Sequence, residues 1–441
     1  MVDKSIFRSY DIRGIYPSQL NEDIAAKIGR AFVDYTGTKK IAVGYDGRIS
    51  GPTLLKSLSE GIVSQGADVY DIGQTPTEGI YFALGNYDFD GAIITTASHN
   101  PKKYNGFKMI KKNGGLIKIV RGTDLIFAIE KENYPKKESG NTYKKEIWQE
   151  YADFIIKFSG EIKPFKIVVD ASNGVVGKAI LGIKDKLPVK ITELNFQPDG
   201  NFPNHPPNPL AEGSADQIST EIERQKADFG FIFDSDADRI FLVDENGQLV
   251  SADISLLILA EYLLQKNPGA TIAYNAICSK AVPEFIKEWG GVPVKTAVGF
   301  VNVREGLIKN NGIMGGELSG HYCFRDYFYM DSGIIAFLIL LQAISKKNKK
   351  VSEIVKELTV YFKSAGVNFE IEDKQAVLEK IKQKYYDGKQ DYLDGVTVEY
   401  NNWWFNIRPS NTEPLLRLTI EADTKNLLEQ KKKELADFIN N

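Results

Sequence analysis

The sequence predicts an α/β protein: three tandem α/β domains with mixed sheets, then a C-terminal α+β domain. Three observations predict it. At about 150 residues per domain, a 441-residue chain has room for two to four domains. Short β-branched runs alternate with helix-length segments as far as residue 366, in three similar copies. Beyond that point strands follow one another closely, and a helix rich in Lys, Glu and Leu closes the chain.

In the copies, IAVGYDGR (41–48), IVVDASNG (167–174) and TIAYNAICS (271–279) open as first strands. Each is followed by a helical stretch and a second strand: GADVYDIG (66–73), PVKITELN (188–195) and GGVPVKTAVG (290–299). Third strands come in FDGAIITTASHNP (89–101), FGFIFDSDADR (229–239) and GIMGGELSGH (312–321). Continuous apolar runs of this kind suit strands covered on both faces by helices. In the last part a helix over 373–386 precedes VTVEY (396–400), WWFNIRPSNTEP (403–414) and LLRLTIEA (415–422), which read as strand, strand with loop, and strand, and a final helix spans 424–439. This order predicts an antiparallel sheet. The expected domains are 1–150, 151–255, 256–366 and 367–441.

Composition excludes several classes. Hydrophobic residues at 43% and charged residues at 26% are ordinary for a globular protein. A net charge of −3 provides no global basic field for nucleic acid or an anionic membrane. The start, MVDKSIFRSYDIRG, lacks the apolar core of a secretory signal. The longest apolar run, 334–341, is far shorter than the ~20 residues of a membrane span. The KKNKK patch after it reads as a solvated helix end. With 2 Cys and 3 His, neither a disulfide framework nor a soft-ligand metal centre is available. Cys278 and Cys323 read as small buried hydrophobes, and a reducing cytoplasm is the expected compartment.

Each copy's third strand runs into a polar cluster at its carboxyl end, where ligands collect in open α/β sheets. In FIFDSDADRIFLVD a strand delivers Asp234, Asp236 and Asp238 at alternating positions and then Arg239. Three crowded carboxylates repel one another unless a hard cation such as Mg²⁺ or Ca²⁺ joins them. An EF-hand is excluded, because its sixth position requires Gly and holds Arg239, and both flanks read as strand. An aspartyl-phosphate phosphatase shares the strand-Asp-x-Asp pattern and stays open as an alternative.

In TTASHNP (95–101), Ser98 and His99 sit beside a turn-forming Asn-Pro. Serine is a weak nucleophile without assistance, and a β-turn capped by Ser98 is the alternative reading. Lys108 lies on the following apolar strand, as a snorkelling stem or a fixed charge. GGELSGH places Glu317, Ser319 and His321 at alternating positions, so an extended segment would present all three on one face, suited to sugar hydroxyls. RPSNTEP puts Arg408, Ser410, Asn411 and Thr412 between two strands, with Arg417 on the next. A guanidinium fork, hydroxyls and turn amides suit a phosphate.

Taken in order, FRSYDIRG (7–14), TASHNP (96–101), DSDADR (234–239), GELSGH (316–321) and RPSNTEP (408–414) resemble the α-D-phosphohexomutase superfamily, phosphomannomutase/phosphoglucomutase branch, over essentially the whole chain. The resemblance implies four domains around a central cleft, each giving one loop. It implies that Ser98 is the phosphorylated serine and that Asp234, Asp236, Asp238 and a phosphate oxygen on Ser98 bind Mg²⁺. Glu317 and Ser319 would hold sugar hydroxyls, and Arg408, Ser410, Asn411 and Thr412 the phosphate not in transfer, with Arg417 beside them. Tyr10, Arg13, Lys108, Arg239 and His321 match positions at the reacting centre; His99 neighbours Ser98, and His205 matches a structural loop. Lys108 and His321 are the candidate general bases.

The implied reaction moves a phosphoryl group between O1 and O6 of mannose or glucose phosphates through a hexose 1,6-bisphosphate. The implied partner is a small phosphosugar, with no nucleic acid or membrane, acting on a monomer or dimer. By the same resemblance many relatives carry a basic residue where this chain has Ile277 and a His where it has Phe300, and both would lie on the third domain's sugar-phosphate face. The alternatives are a phosphoglucosamine or N-acetylglucosamine-phosphate mutase, or a non-catalytic phosphosugar or Ca²⁺ binder.

Overall fold

The threefold sequence pattern folds into three sheets that share one strand order. The structure, a computed structural model, describes residues 2–131, 134, 137–364, 366–410 and 415–440. The first sheet holds β1 (Ile12–Ile15), β2 (Lys40–Tyr45), β3 (Asp68–Gln74), β4 (Gly91–Thr95), β5 (Tyr104–Asn113), β6 (Leu116–Val120) and β7 (Thr142–Lys144). They run in the order β1-β5-β4-β2-β3-β7, with β6 beside β5. The second sheet is built from β8 (Lys166–Asp170), β9 (Lys190–Leu194), β10 (Phe229–Phe233) and β11 (Ile240–Val243), ordered β11-β10-β8-β9. In the third, β12 (Thr271–Asn275), β13 (Val292–Thr296), β14 (Met314–Gly316) and β15 (Tyr322–Phe324) run β13-β12-β14-β15.

In every copy the first strand lies between the second and the third, all parallel, and an antiparallel strand returns along the third. Parallel neighbours demand crossover connections, which the intervening helices supply. In the first copy, where α1 (Glu22–Thr36) precedes the first strand, these are α2 (Gly51–Val63) and α3 (Thr77–Asn86). The geometric consequence is functional. The segments 96–103, 234–239 and 317–321 are equivalent connections, each leading from a third strand into its antiparallel return.

The chain divides into two compact units, Met1–Val250 with Asp326–Val351, and Ser251–Arg325 with Ser352–Asn441. In the first unit the apolar run at 334–341 forms a helix, Gly333–Lys347, buried on every side from Gly333 to Ser345. Such all-round burial accounts for its hydrophobicity. Its Phe337 packs edge-on against Phe231 of β10, ring centroids 5.0 Å apart, and truncating a buried Phe of this kind costs about 3–5 kcal/mol. Among the described residues no helix is long and apolar enough to cross a membrane.

In the second unit the last sheet is antiparallel. Strands Phe362–Lys363, Leu415–Ala422, Trp403–Pro409, Val396–Glu399 and Lys389–Asp391 follow one another, and Val367–Glu370 also pairs with Leu415–Ala422. Helices Lys374–Lys384 and Lys425–Asn440 contribute Leu378, Ile381, Leu428, Leu435 and Ile439 to the same core as Phe405, Ile407 and Leu418. The C-terminal part is therefore α+β, as its sequence predicts.

Candidate active site

The first unit brings the Ser98 and Asp234–Asp238 loops into contact. Leaving β4, the chain reverses through a turn closed by Asn100 N–H donating to Ala97 O at 3.1 Å. Ser98 adopts φ +50°, a region serine occupies only when its surroundings hold it. Its N–H donates to Thr96 Oγ1 at 2.8 Å, and the Thr96 hydroxyl donates to the buried Asp46 Oδ2 at 2.7 Å. Ser98 Oγ lies 3.2 Å from Asp234 Oδ2 and 3.1 Å from His99 Nδ1. His99 does face the hydroxyl beside it.

The acidic loop turns sharply, with Ala237 at φ +65° and its N–H donating to Asp234 O at 3.1 Å. Asp234, Asp236 and Asp238 are buried, and each offers a carboxylate oxygen within 4.8 Å of the others. Burial, followed by the charges of Asp238 and Asp236, pushes the Asp234 carboxyl well above its ordinary range. Asp236 Oδ1 is buried without a hydrogen-bond partner among the described residues. An all-oxygen carboxylate donor set that is incompletely satisfied by hydrogen bonds suits a hard divalent cation, so these residues fit Mg²⁺.

Cations surround the cluster. Lys108 of β5 pairs with Asp236 Oδ2 at 2.6 Å and also with Asp238. Burial opposes its charge, but Asp236 and Asp238 outweigh burial, and the ammonium is held protonated. Arg239 Nε stands 3.7 Å from Asp234 Oδ2, and its N–H donates to Asp234 Oδ1 at 3.2 Å. Arg13 of β1 donates through Nε to Asp11 Oδ2 at 2.8 Å and through Nη1 to Asn100 Oδ1 at 2.7 Å, joining the Ser98 loop. Burial weakens its charge, and Asp11 more than restores it. Tyr10 is half-buried in the bend before β1.

In the second unit the sugar-contact candidates group, but not as an extended strand. Residues 317–321 form a turn, with Glu317 N–H donating to His321 O at 3.0 Å and Gly320 at φ +87°. The antiparallel return of β15 forces this reversal, which the alternation argument overlooked. Side-chain contacts hold the three residues together instead. Ser319 Oγ lies 3.2 Å from both Glu317 Oε2 and His321 Nδ1. Glu317 Oε1 accepts from Asn275 Nδ2 at 3.0 Å and Gly299 N–H at 2.7 Å. Burial raises the Glu317 carboxyl, but His321, Asn275 and the Gly299 amide overcome it, leaving the pKa below the usual value. Phe300 packs its ring 5.7 Å from that of His321.

The last-domain loop is linked to this group. Asp394 Oδ2 accepts from Val298 N–H at 2.9 Å and stands 3.8 Å from Arg408 Nε. Arg408 and Arg417 are direct cross-strand partners, and Ser410 N–H closes the pair of strands onto Leu415 O at 2.8 Å. Asn411 and Thr412 lie outside the described residues. His205 holds Asp170 Oδ2 at 3.2 Å and Pro206 O at 2.8 Å, an arrangement that fixes its own loop.

Sequence reasoning missed the residues that support these loops. Thr77, at the start of α3, donates its hydroxyl to Asp236 Oδ2 at 2.5 Å and its N–H to Asp236 O at 2.9 Å. Ser235 Oγ donates to Ser98 O at 2.7 Å. Asn275 and Asp394 orient Glu317 and face Arg408. A polar residue ending a first strand, as Asn275 does, was the one local signal available.

Family profiles place these loops in a known context. Descriptions reading phosphoglucomutase/phosphomannomutase, alpha/beta/alpha domains I, II and III, match residues 4–134, 147–247 and 251–361, and that family's C-terminal domain matches 367–438. A phosphomannomutase of Methanocaldococcus jannaschii is 37% identical, over 99% of this chain and 98% of its own. That of Vibrio cholerae is 35% identical, over 100% and 99%. The crystal structure of a phosphoglucomutase/phosphomannomutase family protein from Burkholderia thailandensis superposes with a TM-score of 0.91 at 31% identity, covering 100% of this chain and 98% of the other. The chain belongs to the phosphoglucomutase/phosphomannomutase family and is a phosphohexose mutase, an isomerase acting on a small phosphosugar.

Proposed function

We propose that this mutase exchanges hexose 1-phosphate and hexose 6-phosphate, with mannose and glucose phosphates as substrates, through a phosphoryl group carried on Ser98. The observation that carries the reading is the Ser98 hydroxyl 3.2 Å from Asp234, beside a buried carboxylate triad ringed by Lys108, Arg13 and Arg239. Phosphoryl transfer is chiefly a matter of positioning and of balancing charge on the equatorial oxygens. Asp234, Asp236 and Asp238, with an oxygen at Ser98, would hold Mg²⁺, which would supply a Lewis acid for that charge.

In the first transfer the bond from phosphorus to Ser98 Oγ breaks as one to the sugar O6 forms. The O6 proton passes to a base and a proton returns to Oγ. The hexose 1,6-bisphosphate then presents its other phosphate. The bond to O1 breaks, Oγ regains the phosphoryl group, and its proton passes by way of the base to O1. Lys108 is held protonated by two carboxylates, which suits charge stabilisation and leaves His321 as the proposed base. Glu317 and Ser319 take sugar hydroxyls, and Arg408, Ser410, Asn411, Thr412 and Arg417 hold the phosphate that is not moving. Tyr10 and His99 complete the contacts to substrate.

The proposal keeps the domain limits near residues 150, 255 and 366. It also includes a cytoplasmic monomer or dimer without nucleic acid, a compartment supported by the burial of Cys278 and Cys323 outside any disulfide. Intact-mass measurement is expected to show one phosphoryl group that is lost in Ser98→Ala, together with activity. With Mg²⁺, mannose and glucose 1-phosphates are expected to turn over faster than their glucosamine and N-acetylglucosamine counterparts. Normal turnover by Ser98→Ala would refute the carrier role.

A further inference from the structure

We infer that Arg48, together with Ser235, is a positioning residue for phosphoryl transfer: it sets the direction of Ser98 Oγ by gathering the carbonyl oxygens of the loop behind it. The inference rests on the reading of Ser98 as the phosphoryl carrier. Arg48 follows β2, outside every motif that marks the site, and its side chain is 1% exposed. Its Nη2 donates to Ser98 O at 2.5 Å and Asn100 O at 2.6 Å. Its Nη1 donates to Pro101 O at 3.1 Å and Tyr104 O at 2.9 Å. A single guanidinium thus donates to four carbonyls along the reversal from β4 to β5.

The clamp is itself anchored. Asp46 Oδ1 accepts from Arg48 N–H at 2.9 Å, and Asp46 Oδ2 stands 3.2 Å from Arg48 Nε while accepting from Thr96. Phe202 covers the guanidinium at 5.3 Å, and Gly200 packs so tightly that a Cβ there would lie 2.5 Å from Ile49 N. From the acidic loop, Ser235 Oγ donates to the same Ser98 carbonyl at 2.7 Å. Ser98 O therefore takes one donor from the clamp and one from the residue between Asp234 and Asp236.

This double hold keeps Ser98 at φ +50° and its hydroxyl at Asp234. Lysine cannot reproduce it, because an ammonium is a point donor without the planar fork that reaches four acceptors. A displacement of about 1 Å in a reacting atom costs roughly 10²-fold in rate.

The test uses the full-length enzyme with Mg²⁺ and compares Arg48→Lys and Ser235→Ala with wild type. For Arg48→Lys, kcat is expected to fall about 100-fold while KM changes little, since no sugar-contact residue is altered. Phosphorylation of Ser98 by added hexose 1,6-bisphosphate should slow in the same proportion. Ser235→Ala should lose about 10-fold in both rates, the equivalent of one hydrogen bond. A staple that only stabilises the fold would lower the melting temperature and leave both rates intact, and that result overturns the inference. Where Arg48→Lys fails to fold, Ser235→Ala carries the test alone, and wild-type rates there overturn it equally. An active Ser98→Ala would defeat the carrier reading itself. An inactive Ser98→Ala beside a fully active Arg48→Lys defeats only the clamp.

Discussion

Ser98 Oγ and Asp234 Oδ2 stand 3.2 Å apart although 136 residues separate them in sequence. The hydroxyl proposed to carry phosphate thus donates to an oxygen of the carboxylate triad proposed to hold the metal. Mg²⁺ should raise the melting temperature of the wild-type protein, by the equivalent of about 2.7 kcal/mol at a concentration 100 times its dissociation constant. Asp234→Asn should abolish that gain. In EDTA the same variant should melt no lower than wild type, because one of three mutually repelling carboxylates is gone. An undiminished Mg²⁺-dependent gain in Asp234→Asn would remove Asp234 from the metal site.

The repeated strand-helix units and the polar loops after their third strands were legible because each shows as a local pattern. The segments 41–48, 167–174 and 271–279 open as first strands, and Asp234, Asp236 and Asp238 at the end of an apolar strand mark a carboxylate cluster. What supports the loops was not legible. Arg48, Thr77 and Ser235 act on residues remote in sequence, and nothing in a neighbouring residue marks a hydrogen bond made through folding. The turn at 317–321 was hidden for a related reason. Alternation describes a strand only while the chain stays extended, and β15 turns it back.

Glu78 provides a pH signature. It lies in the first turn of α3, where its side chain accepts from the Ser332 hydroxyl and from Ile334 N–H at 3.4 Å. Burial raises its pKa to about 8, against the hydrogen bonds from Ser332 and Ile334 and with help from the charge of Asp331. The folded state therefore holds a proton that the unfolded state releases near 4.5. Stability from this group is complete below that value and is lost as pH rises towards about 8, on the order of a few kcal/mol in all. Urea melts of Glu78→Gln from pH 5 to pH 8.5 should show a shallower decline than wild type. Equal slopes would contradict the buried, protonated carboxyl.

Arg408 and Arg417 face each other directly across two antiparallel strands. Two guanidinium groups on one face of the sheet can each give a phosphate charge-assisted hydrogen bonds. Inorganic phosphate should therefore raise the melting temperature of wild type, and less so that of Arg408→Ala or Arg417→Ala. Each substitution should raise KM for hexose 1-phosphate about 10- to 100-fold, as expected for loss of charge-assisted hydrogen bonds of about 1.5–3 kcal/mol. Phosphorylation of Ser98 already in place should be unaffected by either. A KM equal to that of wild type in both variants would exclude the strand pair from phosphate recognition.

Thr77 joins α3 to the acidic loop through two hydrogen bonds to Asp236, one from its hydroxyl at 2.5 Å and one from its N–H at 2.9 Å. Only the first depends on the side chain, so Thr77→Val isolates it while preserving shape at Cβ. The hydroxyl fixes Asp236 Oδ2, the oxygen that Lys108 also approaches, and leaves Oδ1 for the cation. Without it the carboxylate can rotate and offer either oxygen. Partners that orient a metal ligand in this way are worth about 10- to 100-fold in affinity. Calorimetric titration of Thr77→Val with Mg²⁺ should show that loss, alongside a modest fall in stability measured in EDTA. Because the backbone bond remains, the variant should keep its fold, and an unchanged Mg²⁺ affinity would show that Asp236 is oriented by Lys108 alone.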